Sequence, residues 1–266
     1  MELDLNNILN ARNYENICDF SIIPPEYKLF KDEIISKNSI IFCKTDFLDY
    51  LFQNLKNSKN KHIIVTHHSD YPIDENRFNK KPECVVKWYA INPTKIHKDL
   101  IAIPLGVKTH SGIYYEEKYM TNWFVKNADI LKSNKKYNKV YCNWNDTNPY
   151  RNHIIQKLKH NNIHITHESN LSFDQYALNM SKHKFVISPP GNGIDCHRTW
   201  ESLYVGCIPI VIKNKIYDEF IDLPILQIND YSEITNELLD SYNKTNFDDE
   251  KLYIPYWKKR IEDSLI

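Results

Sequence analysis

The chain has 266 residues, 42% of them hydrophobic and 26% charged, with 34 basic side chains balanced by 34 acidic ones. Such a chain is long enough to bury a core without disulfide staples, as one large domain or two small ones. The charge balance argues against a non-specific nucleic-acid binder, and no run reaches the roughly 18 apolar residues of a membrane span.

The first residues, MELDLNNILNARNYEN, have neither the basic start nor the apolar stretch of a secretory signal. The six cysteines, Cys18, Cys43, Cys84, Cys142, Cys196 and Cys207, show no CxxC spacing. They read as reduced thiols, so the expected location is the cytoplasm.

In chain order, Ser39 to Cys43 (SIIFC) reads as a buried strand, and Asp46 to Leu55 carries apolar residues at helical spacing. His62 to Thr66, Val85 to Ala90 and Leu100 to Pro104 are further strands, followed by a long helix from Tyr114 to Leu131. Lys132 to Lys139 is polar and reads as a linker. The pattern then restarts. Val140 to Cys142, Ile163 to Thr166, Phe185 to Ser188, Ile208 to Ile212 and Ile225 to Ile228 read as strands. Between and after them, Tyr150 to His160, Ser172 to Lys182, Cys196 to Val205 and Tyr231 to Tyr242 read as helices, with Ser172 as an N-cap. Leu252 to Ile266 has a final helical spacing of Trp257, Ile261 and Leu265. Strands alternating with helices imply parallel sheets. Two such series imply an α/β chain of two Rossmann-like halves facing across a cleft, residues 1–135 and 136–266.

The stretch FVISPPGNGIDCHRTWESLYVGCIPIVIKN, Phe185 to Asn214, holds three of the five glycines of the chain. In doubly wound sheets ligands bind beyond the carboxyl ends of strands, where loops lead into helix N-termini. Here Gly191 and Gly193 would permit positive φ and close approach of a ligand, and Asp195 is a natural N-cap. Arg198 lies one turn into the helix, where it can grip a phosphate, and Glu201 shares its face and could accept from a ribose diol. Taken singly, Arg198 and Glu201 could equally pair with each other, and the glycines could make only a turn. Gly206 would end the helix. The spacing GxGxxG is absent, which weighs against a dinucleotide or S-adenosylmethionine site.

This stretch resembles the donor-sugar motif of exostosin-like glycosyltransferases, in which a strand and a Pro/Gly loop lead to an Arg and a Glu on a helix before G-C-x-P. Val85 to Val107 (VVKWYAINPTKIHKDLIAIPLGV) and Thr66 to Ile73 (THHSDYPI) are similar to upstream segments of bacterial, algal and viral relatives of exostosin. The resemblance implies a compact GT-B-like fold. The first half would be the acceptor side and the second would bind the nucleotide sugar. It implies inverting, metal-independent transfer from a nucleotide sugar, with a UDP-sugar as the expected donor and no separate cofactor. The acceptor would be a glycan or another hydroxyl compound. Nucleic acid is not an expected partner, no segment reads as a membrane anchor, and peripheral contact with a membrane stays open. The alternative is a protein of the same fold that binds a nucleotide or glycan without turnover.

The resemblance also bears on two other loops. VYCNWNDTNPYRNH, Val140 to His153, follows the first strand of the second half. Asn143, Asn145 and Arg151 are its expected donor contacts, joined by Gly191, Asn192, Gly193, Asp195, Arg198 and Glu201. VTHHSDYPID, Val65 to Asp74, ends a strand of the first half. Sugar transfer with inversion needs a base on the acceptor hydroxyl, for which Asp70 is the first expectation and His68 the second. Adjacent histidines diverge on extended chain, so no metal site is expected there.

Overall fold

The computed structural model describes residues 1–23, 36–109, 117–144, 148–244 and 247–265. It contains two five-stranded parallel sheets. The first is built in sequence order from β1 (Phe20–Ile22), β2 (Ser39–Lys44), β3 (His62–His67), β4 (Val85–Ala90) and β5 (Leu100–Ala102). The second contains β6 (Tyr137–Asn143), β7 (Ile165–Glu168), β8 (His183–Ile187), β9 (Ile208–Ile212) and β10 (Leu226–Ile228). Its spatial order is β7-β6-β8-β9-β10, so the direction of winding reverses between β6 and β8. That reversal opens a crevice at the carboxyl ends of these two strands, the usual ligand position in doubly wound sheets.

Alternation along each strand decides where the cores lie. On β2 and β3, Ile40, Phe42, Ile63 and Val65 face a central core, while Ile41, Cys43 and Ile64 face an outer one. On β6 and β8, Tyr141 and Val186 face the same central core, while Val140, Cys142, Phe185 and Ile187 face a third cluster. The outer faces are covered locally. Leu48, Leu51, Phe52 and Leu55 of α2 (Leu48–Leu55) cover the first sheet, and Ile154 and Leu158 of α5 (Ile154–His160) cover the second.

The central core belongs to both sheets, and several helices contribute to it. α4 (Glu117–Ser133) contributes Phe124, Ala128 and Leu131, and α7 (His197–Tyr204) contributes Trp200, Leu203 and Tyr204. α9 (Ile254–Asp263) contributes Trp257 and Ile261. α9 also returns to the first sheet, where the Tyr89 hydroxyl donates to the Arg260 carbonyl (3.0 Å) and lies 2.7 Å from the Ser264 hydroxyl. The amide of Ile254 donates to the carbonyl of Asn7 (2.8 Å), and the amide of Leu9 donates to the Tyr204 hydroxyl (2.9 Å).

Several expectations shift. The linker expected over Lys132 to Lys139 is mostly structure, because α4 runs to Ser133 and β6 begins at Tyr137. The long helix starts at Glu117 within the described residues, and Tyr114 to Glu116 lie outside them. The helices expected over Tyr150 to His160 and Tyr231 to Tyr242 each open as a 3-10 turn. They are Pro149–His153 before α5 and Tyr231–Glu233 before α8 (Asn236–Ser241). Ser172 does cap α6 (Phe173–Met180), accepting from the Gln175 amide. Gly206 follows α7 at φ +70, as a C′ glycine should. Three short elements have no apolar period to announce them: α1 (Ala11–Asn16), β1 and α3 (Glu75–Asn79). All six cysteines are free. No described helix is long and apolar enough to cross a membrane.

Candidate active site

A cleft of about 580 Å³ opens where the carboxyl ends of the two sheets meet, and both halves line it. The second half supplies the loop after β8 and the start of α7. The loop after β8 is held from below. Arg151, buried at 6% exposure, donates through Nε to the Pro190 carbonyl (3.1 Å) and through an Nη to that of Pro189 (3.4 Å). Asn148 donates to the Gly191 carbonyl (2.9 Å). Arg151 therefore braces the loop and is not among the residues lining the cleft.

The expected positive φ is absent from the two glycines of this loop, Gly191 and Gly193. A Cβ on Gly193 would sit 2.6 Å from the Asn92 amide nitrogen, and one on Gly191 would sit 3.2 Å from an Arg151 nitrogen. The bare backbone makes room for these two side chains. Asn92, at φ 52 just beyond β4, accepts the Asp195 amide through its Oδ1 (2.8 Å) and so ties the first half to the loop.

Asp195 is not the N-cap of α7. That position falls to Cys196, which makes no side-chain cap. Asp195 is turned inward instead. Its Oδ2 accepts from the Leu105 amide (2.9 Å) and the Trp200 indole (2.7 Å), and its Oδ1 accepts from the Cys196 amide (2.8 Å) and the Tyr217 hydroxyl (3.4 Å). Burial pushes its carboxyl up to about 6, against the pull of these donors. The segment that meets it, Pro104 to Lys108, turns at Gly106. There φ is +73, and a Cβ would lie 2.2 Å from the Leu9 carbonyl oxygen, so glycine is required. The Gly106 carbonyl accepts from the His197 Nδ1 (2.7 Å).

Arg198 and Glu201 both line the cleft. The Glu201 carboxylate accepts from the Lys108 amide (3.1 Å) and the Tyr176 hydroxyl (2.8 Å). Burial and this carboxylate hold the Tyr176 phenol well above its usual range. The Arg198 Nε is buried and has no hydrogen-bond partner, while one Nη donates to the Cys196 thiol (3.5 Å). Burial disfavours the Arg198 cation, but the neighbouring Glu201 carboxylate favours it, and Arg198 stays charged.

The first half brings its own loop. Asp70 is exposed at the rim, where the Asn192 amide lies 3.3 Å from its Oδ2. His68 is half-buried and adopts φ 60, an uncommon value for a residue other than glycine, beside the rings of Phe42 and His67. Burial, with His68 and His197 nearby, holds His67 well below the usual histidine range. Neutral His67 donates through Nε2 to the Leu105 carbonyl (3.1 Å) and accepts the His68 amide at Nδ1 (2.8 Å). Asn143 also lines the cleft, whereas Asn145 lies outside the described residues. Among the described residues no three His, Cys, Asp or Glu side chains are placed to hold a metal ion.

The structure thus gathers Asp70, His68, Asn143, Gly191, Asn192, Gly193, Asp195, Arg198 and Glu201 around one cleft. The sequence placed Leu100 to Pro104 in a strand and Val85 to Val107 in a family-like segment, but it gave Gly106 and Lys108 no part in the site and did not single out Tyr176. The signal for the first was available, since a glycine ends the apolar run IPLGV in a chain with only five glycines.

Two parallel sheets with interleaved helices and a cleft at the switch point of one of them form two Rossmann-like halves, the architecture of GT-B glycosyltransferases. The Exostosin GT47 domain matches residues 44–235, well over half of the 266-residue chain, and the protein belongs to that family. No curated protein matches it.

Asp195→Ala leaves the buried donors of Trp200 and Tyr217 and the part-buried amides of Leu105 and Cys196 without an acceptor, so stability should fall by about 3–5 kcal/mol at neutral pH in a denaturant titration. The native carboxyl near 6 holds a proton that the unfolded chain releases near 4. This contribution is complete below about pH 4 and is lost as pH rises through 6. The penalty of the substitution should therefore be larger at pH 5 than at pH 7.5, by about 1 kcal/mol.

Proposed function

We propose that the protein moves a sugar from a nucleotide-sugar donor, with UDP as the expected nucleotide, to a hydroxyl of a glycan acceptor, with inversion and without a bound metal. The observation that carries this reading is Arg198. A charged guanidinium with a buried, unpartnered Nε lies at the start of α7, a helix with no side-chain cap, and faces a cleft. A buried cationic donor without a partner calls for an anion, and the helix dipole adds to the same field.

In this reading the donor diphosphate lies against the start of α7 and the loop Gly191 to Gly193. Arg198 binds it directly. Arg151 shapes the loop from beneath and adds positive potential. Asn143 and Asn192 offer further polar contacts. Each Glu201 oxygen accepts one bond within the protein and keeps a lone pair for the ribose hydroxyls.

The acceptor hydroxyl oxygen attacks the anomeric carbon from the side of the first half. Its proton passes to the Asp70 carboxylate, or to His68 behind it. The bond from the anomeric carbon to the diphosphate oxygen breaks, and its electron pair leaves with the diphosphate. Arg198 and the helix end stabilise that growing charge, the work a divalent ion does in other transferases.

Arg198→Ala should cost about 2–4 kcal/mol of transition-state stabilisation while the protein still folds. Nucleotide titration and turnover of a radiolabelled donor measure this, and values within twofold of wild type would rule out the phosphate role. Asp70→Asn should lower turnover by about 10²–10⁴ and leave nucleotide affinity intact. Full turnover in Asp70→Asn alongside an inactive His68→Ala would move the base to the histidine. Turnover should persist in excess EDTA. Loss that manganese or magnesium restores would overturn the metal-independent mechanism.

A further inference from the structure

The first half carries a second groove, of about 560 Å³, on the far side of the loop that follows β3. That volume falls within the range of ligand sites. One wall is the turn after β2, with Thr45, Asp46 and Asp49, and the other runs from Tyr71 to Lys80. Ser69 and Asp70 line the catalytic cleft, whereas Tyr71 and Asp74 line this groove. One short loop therefore borders both.

Three features give the groove a chemical character. Tyr71 is 54% exposed, yet it is not a loose side chain. The Arg77 guanidinium stacks over its ring at 5.0 Å, and an Arg77 Nη donates to the Pro72 carbonyl (2.9 Å). The ring is thus a fixed apolar platform presented to solvent. Thr45 is 4% exposed, lines the groove, and has a buried hydroxyl with no hydrogen-bond partner. Such a hydroxyl costs stability where it stands, and a ligand can satisfy it. The charges, finally, lean negative along the lining, with Asp46, Asp49 and Asp74 against Arg77 and Lys80. Asp46 pairs with Lys44 (3.6 Å), Asp49 pairs with Lys80 (3.3 Å), and Asp74 accepts the Arg77 amide (2.8 Å). No surplus of positive charge remains for a sulfated or phosphorylated ligand. The carboxylates keep lone pairs for hydroxyl donors.

We propose that this groove holds the neutral oligosaccharide portion of the acceptor, stacked on Tyr71, so that its terminal hydroxyl reaches Asp70 in the adjoining cleft. The proposal rests on the transfer reading above, and its test does not require the donor site to work.

Neutral trisaccharides (maltotriose, cellotriose, xylotriose, mannotriose and chitotriose) and one sulfated trisaccharide are titrated into the full chain by saturation-transfer NMR, without nucleotide. At least one neutral trisaccharide should bind. Tyr71→Ala should weaken that binding tenfold or more, and Tyr71→Phe should retain it. Thr45→Val should weaken it several-fold while leaving the melting temperature unchanged or higher, because the hydroxyl it removes has no partner. UDP affinity should be unaltered in all three variants. The proposal fails if no neutral trisaccharide binds, if the sulfated one binds more tightly than every neutral one, or if Tyr71→Ala changes nothing. UDP binding without trisaccharide binding would sink the groove and spare the donor site, and the converse would do the reverse.

Discussion

The active cleft depends on one buried carboxylate. Asp195 lies on the second half, yet one of its four donors is the Leu105 amide of the first half, and its own amide is held by Asn92. These contacts fix the loop Pro104 to Lys108 against the start of α7. The same docking gives His197 its acceptor at Gly106 and Glu201 its donor at Lys108. It sets the register of Pro104 to Lys108 against α7 along the cleft. The raised pKa of the Asp195 carboxyl marks a cost of the arrangement. Burial disfavours the anion, and four hydrogen bonds only partly offset this.

The scarcity of glycine in the chain becomes intelligible in the same terms. Gly193 is bare because Asn92 occupies the space of its side chain, and Gly106 is bare because Leu9 does so. Both sit at the seam between the halves. The motif that first suggests a nucleotide loop is therefore also a joint, and its glycines admit protein atoms before any ligand arrives. Arg151 belongs to the same frame, with its guanidinium turned to the carbonyls of Pro189 and Pro190.

Much of this was legible in the sequence, and the exceptions have causes. The central strands were readable because each is buried on both faces and forms an unbroken apolar run such as HIIVT or FVIS. β1 was not, since Phe20 and Ser21 are only half-buried at a sheet edge, and α1 and α3 are too short and polar to show a period. The residues of the site were readable by type, because Arg198, Glu201 and Asp70 follow strand ends. Their partners were not. That Asp195 faces inward depends on Leu105, Trp200 and Tyr217, and no local spacing announces a contact across 90 residues. The bracing role of Arg151 was hidden for the same reason.

The central apolar layer has a consequence for motion. Phe42, Val65 and Tyr89 of the first sheet share one cluster with Tyr141 and Val186 of the second and with Trp200 of α7, and Trp257 of α9 packs in the same cluster. Two halves resting on separate cores could swing about a hinge. Here a swing would tear a single dry layer, so the two sheets form one cooperative unit that melts together. Admission of substrates and release of products must then fall to the loops at the rim, on their faster timescale, rather than to the halves.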